Sequence, residues 1–240
     1  EGTFLAPREM YNKNMLSDNG LVGGHWNNSY EVINQANLVL DNSSNISDAT
    51  ERATVEGEAL FLRALTYFDL VKFFGGVPLR TVGVTNYGAD LDIARSSADE
   101  IYAQVISDLT DAYAKLPVSN GEFADRYAAQ ALLARVYLQQ GNFASALAAS
   151  NDVLQNSGHS LASTFRGAFN NDSDSSEDIF AFQVTSQDGS NVLISHYADQ
   201  PYGGRGGDIV VDTYRTLFDS SLDSRLFFFY YSGFNGGILT

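Results

Sequence analysis

Cysteine is absent from the 240 residues, proline occurs 4 times, and 14 Lys and Arg stand against 29 Asp and Glu. Without cysteine there is no disulfide, no thiol nucleophile and no zinc site of cysteine type. The formal charge of −15, with 3 Lys and 11 Arg scattered along the chain, leaves no basic stripe to neutralise phosphates. Nucleic acid is therefore excluded as a partner, and an anionic membrane surface is disfavoured. No apolar run approaches 18 residues, so no segment reads as a membrane-spanning helix. No signal-like segment follows Glu1, and any targeting segment is expected outside this chain. Scarce Lys with abundant Asp and Asn fits a salty medium, where screening softens self-repulsion.

What is present is apolar bulk: 44% hydrophobic residues and 12% aromatics. A chain this long can bury about 70–75% of its unfolded surface without a metal or disulfide staple. Apolar residues recur at helical spacing through the first two thirds. Residues 1–24 are polar and Gly-rich and read as loop. Trp26, Tyr30, Ile33, Asn37 and Leu40 then mark one helical face. A second helix runs from Ala49 to Phe74, apolar nearly all round from Leu60 except at Arg63, Asp69 and Lys72. Gly75-Gly76 and Pro78 end it. Ser97 and Glu100 have the spacing of a capping box, and the helix they open carries Ile101, Val105, Leu109, Ala112 and Leu116 before Pro117 stops it. Further helices are expected from about Ala124 to Leu138 and from Phe143 to Gln155.

Beyond Asn156 the character changes. An acidic loop runs over 170–178, and Ile179 to Val184 is a strand candidate. Residues 185–208 are loop-like and Gly-rich, 210–218 suit a short helix, and Leu226 to Tyr231 is a strand-like apolar run that calls for burial. The organisation predicted is one domain over 1–240, with a helical scaffold at 26–157 and a loop-rich ligand-side region at 158–240.

The stretch Ala131 to Leu147 resembles a tetratricopeptide unit: Gly141 allows a sharp turn, Phe143 is expected to pack under it, and Ala146 lets paired helices approach. A wider resemblance covers nearly the whole chain. Trp26-x3-Tyr30-x2-Ile33-x2-Ala36-Asn37 looks like the opening helix of SusD/RagB proteins, nutrient-binding outer-membrane lipoproteins of Bacteroidetes. Gly57 to Arg63 with Tyr67 and Leu70, then Phe74-Gly-Gly-Val-Pro78-Leu, resemble that family's most recognisable run. Ala98 to Tyr102, Leu116-Pro117, Ala128 to Gly141, Ser176 to Phe180, and Leu217-Phe218 with Asp223-x-Arg225 follow in the family's order. The resemblance implies a mostly α fold, with tetratricopeptide-like hairpins forming a superhelical scaffold beside a loop-rich region containing short β strands. Family members are about twice this length and begin at a lipidated cysteine, so the chain resembles the N-terminal half to two thirds of one. Membrane attachment is expected only through a lipid anchor that this chain lacks.

Catalytic patterns are poor. His25, His159 and His196 are far apart, no serine elbow occurs, and the acidic residues at 172–178 lack the glycine and terminal glutamate of an EF-hand loop. No enzyme activity, cofactor or metal is expected. Sugar recognition needs an aromatic face for the C–H side of the ring and polar groups for its hydroxyls. Tyr197 and Tyr202, flanked by Gly, Pro and polar residues, and Arg205 within Gly203-Gly-Arg-Gly-Gly207 fit that chemistry. Tyr11 and Asn12 are further candidates, whereas Trp26 suits the core. The resemblance implies capture of an oligosaccharide or polysaccharide and its transfer to a SusC-like TonB-dependent transporter at the cell surface. The alternative is a helical scaffold for protein–protein interaction, with contacts near Leu109 or Tyr137.

Overall fold

The computed structural model describes residues 5–86, 92–168, 175–182, 217, 218, 223, 225, 230, 231, 238 and 239. The chain divides into two compact units, 1–158 and 159–240. The first is built from α1 (Leu5–Tyr11), α2 (Gly20–Asn42), α3 (Ala49–Phe74), α4 (Ala98–Lys115), α5 (Arg126–Gln139) and α6 (Phe143–Asn156). From α2 onward each helix packs against the next in the chain. Antiparallel pairing follows from the contacts. Ser43 meets Glu56 at one end of the α2–α3 pair while Trp26 meets Phe74 at the other. Between α3 and α4, a Cβ on Gly57 would lie 2.7 Å from Leu116, and a Cβ on Gly76 would lie 2.2 Å from the Ser96 carbonyl.

Caps fix where the helices begin. Asp48 accepts from the Glu51 N–H, Asp125 from those of Tyr127 and Ala128, and Asn142 from that of Ser145. Ser97 and Glu100 form the reciprocal box read from their spacing. The core lies between the helices and includes Ile33, Phe61, Ala64, Tyr67, Leu70, Ile101, Val105, Leu109, Leu133 and Val136. Arg63 is also buried, because its fork meets Asp108 in two bonds of 2.7 and 2.8 Å.

Three expectations need correction. Residues 1–24 are not all loop: α1 forms, and α2 starts six residues before Trp26. Asn19 is the cause. Its side-chain oxygen accepts from the Leu21 and Val22 amides, and its Nδ2 donates to the Ala6 carbonyl and Glu9. That cap offsets three glycines in the first five positions of α2, each costing about 1 kcal/mol against alanine. Phe143 does not pack under the turn; it is 69% exposed, although Gly141 at φ +74° makes the turn and Ala146 is buried. The outer face of α6 carries Phe143, Leu147 and Leu154, all exposed, so this helix is apolar on two sides. Finally, residues 179–182 form no strand. Their neighbourhood is held by turns instead: Asp178 accepts from the Ser175 amide, Glu177 from the Ala162 amide, and the Ser160 amide donates to the Ser176 carbonyl.

In the second unit β1 (Tyr230–Tyr231) pairs antiparallel with β2 (Ile238–Leu239), Tyr230 opposite Leu239. Arg225 donates to Asp223, whose carboxyl is held down at a pKa of about 2 by hydrogen bonds from the Arg225 side chain and backbone. The acidic residues at 172 and 174 and most of the helix expected over 210–218 lie outside the described residues.

Candidate functional site

A side-chain clamp on one extended segment organises the first unit. Residues 78–84 cross α2 and α3 on their way to α4, and among the described residues no backbone–backbone hydrogen bond ties them to either helix. Tyr30 donates to the Pro78 carbonyl at 2.7 Å. Tyr67 Oη accepts from the Arg80 amide and donates to its carbonyl. Asn37 donates to the carbonyls of Arg80 and Val82, Arg63 reaches that of Thr81, and Asp41 accepts from the Gly83 amide. Asn34 binds both the amide and the carbonyl of Val84. Tyr30, Asn34, Asn37 and Asp41 recur every three or four residues, so one polar stripe of α2 reads the backbone of the segment.

Asn37 and Arg63 link this stripe to a buried network. Arg63 donates to Asn37 at 2.8 Å while its other nitrogens hold Asp108, and Gln104 donates to Asp108 at 2.8 Å. Two buried charges are thereby matched by hydrogen bonds on several sides. Burial pushes the Tyr67 hydroxyl up to about 12, against the Arg80 amide, which pulls it down.

An aromatic cluster closes the end of the α2–α3 pair. The Trp26 ring lies 5.0 Å from Tyr30 and 5.0 Å, edge-on, from Phe74; His25 lies 5.1 Å from Phe73 and 6.1 Å from Phe74. Phe73 is 71% exposed, Trp26 is half-buried, and His25 Nε2 is buried without a hydrogen-bond partner among the described residues. Pro78 forms a bridge with Arg95 beside this cluster. Burial raises the Tyr30 hydroxyl well above its usual range and Tyr67 adds to the rise, while Arg80 and Arg95 oppose it as nearby cations do.

Of the residues singled out in the sequence, Tyr197, Tyr202 and Arg205 lie outside the described residues. Tyr11 ends α1 and is 79% exposed; Asn12 follows in the turn, also exposed. Neither side chain makes a ring contact or hydrogen bond among the described residues. The cluster around Trp26 escaped sequence reasoning because its two halves, Trp26-x3-Tyr30 and Phe73 to Pro78, meet only through helix pairing. Among the described residues no three His, Asp or Glu side chains gather as a metal site, and no helix is long and apolar enough to cross a membrane.

Successive antiparallel helices with Gly-mediated turns define a protein of the tetratricopeptide-like helical class. Within it the chain belongs to the SusD-like family: the family model for starch-binding proteins associating with the outer membrane matches residues 6–138. SusD-like protein P2 of Formosa agariphila is 32% identical over 161 residues, which is 65% of this chain and 32% of that protein. A SusD superfamily protein from Bacteroides thetaiotaomicron shares the fold at a TM-score of 0.71 and 29% identity, covering 79% of this chain and 45% of its own. A SusD-like carbohydrate-binding protein from Bacteroides fragilis gives 0.76 and 25%, over 92% and 48%. A laminarin-binding SusD-like protein gives 0.58 and 27%, over 61% and 34%. The matched part of the chain spans about a third of the curated relative and less than half of the solved ones.

Proposed function

We propose that this chain serves a non-catalytic glycan binder, which captures oligosaccharide at the cell surface and passes it to a SusC-like TonB-dependent transporter. One observation carries the reading: the SusD-like match over 6–138, on helices that superpose with carbohydrate-binding relatives. In this reading the helices are the scaffold, 158–240 is the ligand side, and a lipid anchor outside this chain holds the protein at the outer membrane. Tyr197 and Tyr202 supply the stacking faces and Arg205 the hydrogen-bond fork, with Tyr11 and Asn12 as secondary contacts. Covering about 100 Å² of each aromatic face, less the cost of ordering a flexible glycan, sets affinities at roughly micromolar to millimolar.

Calorimetry against a panel of purified oligosaccharides tests it. Saturable binding to one linkage class, weakened in Tyr197→Ala or Tyr202→Ala without loss of folding, is the expected result. Binding unchanged in both variants removes the site assignment, and shortened oligosaccharides after long incubation would replace binding with hydrolysis.

The second reading, a helical scaffold for a protein partner, is favoured by the bare apolar face of α6 at Phe143, Leu147 and Leu154. Of the two contacts expected for it, Leu109 is fully buried and offers none, whereas Tyr137 on α5 is half-buried. It predicts silence across the glycan panel.

A further inference from the structure

The aromatic cluster where α2 begins and α3 ends has an outward side that the proposed ligand region does not use. Phe73 is largely exposed, yet its ring is not loose on the surface. His25 meets it edge-on at 5.1 Å and 75°, and His25 in turn stacks on Phe74 at 6.1 Å and 17°. Trp26 then meets Phe74 edge-on, so Phe73 is the most exposed of four rings in contact. Gly23 and Gly24, just before His25, have no heavy atom of the described residues within 4 Å of where a Cβ would stand. A single exposed apolar ring is ordinary on a protein surface. What sets this one apart is the pair of polar features that border it.

Asp69 stands one helical turn before Phe73 and therefore on the same side of α3. Its carboxylate is half-exposed and bonded at 2.7 Å to Lys72, whose ammonium lies 4.4 Å over the Phe68 ring. On the α2 side, His25 Nε2 is buried with no hydrogen-bond partner among the described residues. Such an atom is rare in a folded protein and calls for a group that is brought to it. A sugar hydroxyl both donates and accepts, so it satisfies Nε2 in either tautomer. An acidic sugar, by contrast, meets the Asp69 carboxylate and a chain of formal charge −15. We propose that Phe73, His25, Asp69 and Lys72 form a subsite for one neutral pyranose unit of a glycan. The C–H face of the sugar lies on Phe73 and its hydroxyls meet the Asp69–Lys72 pair. A further hydroxyl bonds His25 Nε2 as the Phe73 ring tilts to admit it. The inference rests on the glycan reading above and adds a place on the helices and the charge class of sugar that fits there.

The test is calorimetry of the full chain with maltohexaose, laminarihexaose, xylohexaose and tetragalacturonate in about 50 mM salt, where screening is moderate. Trp26 emission is followed in parallel: it is the one tryptophan of the chain and lies against Phe74, so it reports on this end of the helix pair. The expected result is saturable binding of a neutral sugar, with a change in Trp26 emission at the same midpoint. Tetragalacturonate is expected to bind about threefold more weakly, the effect of an exposed like charge. Phe73→Ala weakens the neutral sugar about tenfold with an unchanged thermal melt, the loss of one stacking face, and Phe73→Tyr restores it. Should Phe73→Ala also lower the melt, Asp69→Asn decides, since its exposed ion pair adds little to stability; a loss of about threefold is expected. Equal affinity in the parent, Phe73→Ala and Asp69→Asn, or a uronate bound more tightly than every neutral sugar, overturns the inference while leaving glycan binding standing. Silence with all four sugars overturns both.

Discussion

Arg63 sits in the run of α3 that is apolar nearly all round, and its removal or retention is decided by Asp108, 45 residues away. Truncating one member of a buried pair leaves the other charge without a partner, so Asp108→Ala is expected to destabilise the protein by about 3–5 kcal/mol. Urea unfolding measures it, and a cost below about 1 kcal/mol would mean that water reaches Arg63. A paired apolar replacement of both residues is expected to cost less than the single change. Tyr67 makes a pH prediction. Its hydroxyl ionises at about 12 in the folded protein against 10.0 in a free side chain, because burial disfavours the anion. A raised value contributes stability that is complete below pH 10 and is lost as pH rises toward 12. Stability is therefore expected to fall across that window, less steeply in Tyr67→Phe than in the parent after allowing for the lost hydrogen bonds. Ultraviolet titration of tyrosinate alongside circular dichroism checks both.

At the scale of elements, Asn34 tests the clamp. Its amide makes bonds of 2.7 and 3.2 Å to Val84, and Asn34→Ala is expected to cost about 1–3 kcal/mol and to speed hydrogen exchange at the Val84 amide. Unaltered exchange there would show that α2 does not hold the segment. The helices from Trp26 to Gln155 were legible because apolar spacing and caps such as Ser97 and Asp125 speak the same language locally. The start of α2 was not, because Gly20, Gly23 and Gly24 argue against helix and the deciding bonds of Asn19 reach back to Ala6 and Glu9. Phe143 shows another limit: periodicity reveals that a face is apolar, not that anything covers it. The apolar run at 179–182 read as strand for the same reason, since a ladder needs a partner that no single segment specifies. Of the candidate site, the aromatic residues were visible one by one; the meeting of Trp26 with Phe74 and of Pro78 with Arg95 depends on pairings 48 and 17 residues apart, which spacing does not encode.

For the whole molecule, charge is the dominant property. Twenty-nine acids against 14 bases give a repulsion that acts across the surface and weakens as the screening length falls below about 10 Å above 0.1 M salt. The melting temperature is accordingly expected to rise between about 10 mM and 0.5 M sodium chloride. Differential scanning calorimetry in the two buffers decides it, and a flat response would show that the acids are already spaced or paired well enough. Two of the described ion pairs, Lys72 with Asp69 and Lys115 with Glu56, are partly exposed and change this balance little.

The clamp on residues 78–84 has an evolutionary consequence. Among the described residues, the bonds that α2 and α3 make to the segment at Pro78, Arg80, Thr81, Val82, Gly83 and Val84 end on main-chain amides or carbonyls. Side-chain identity along it is thus uncoupled from its trajectory: Thr81 and Val82, both exposed, are open to exchange with the backbone held in place. Glycine at 83 is the exception, since a Cβ would fall 2.6 Å from Leu38. A lineage can therefore rewrite the outward chemistry of this edge, one substitution at a time, without re-solving the fold beneath it.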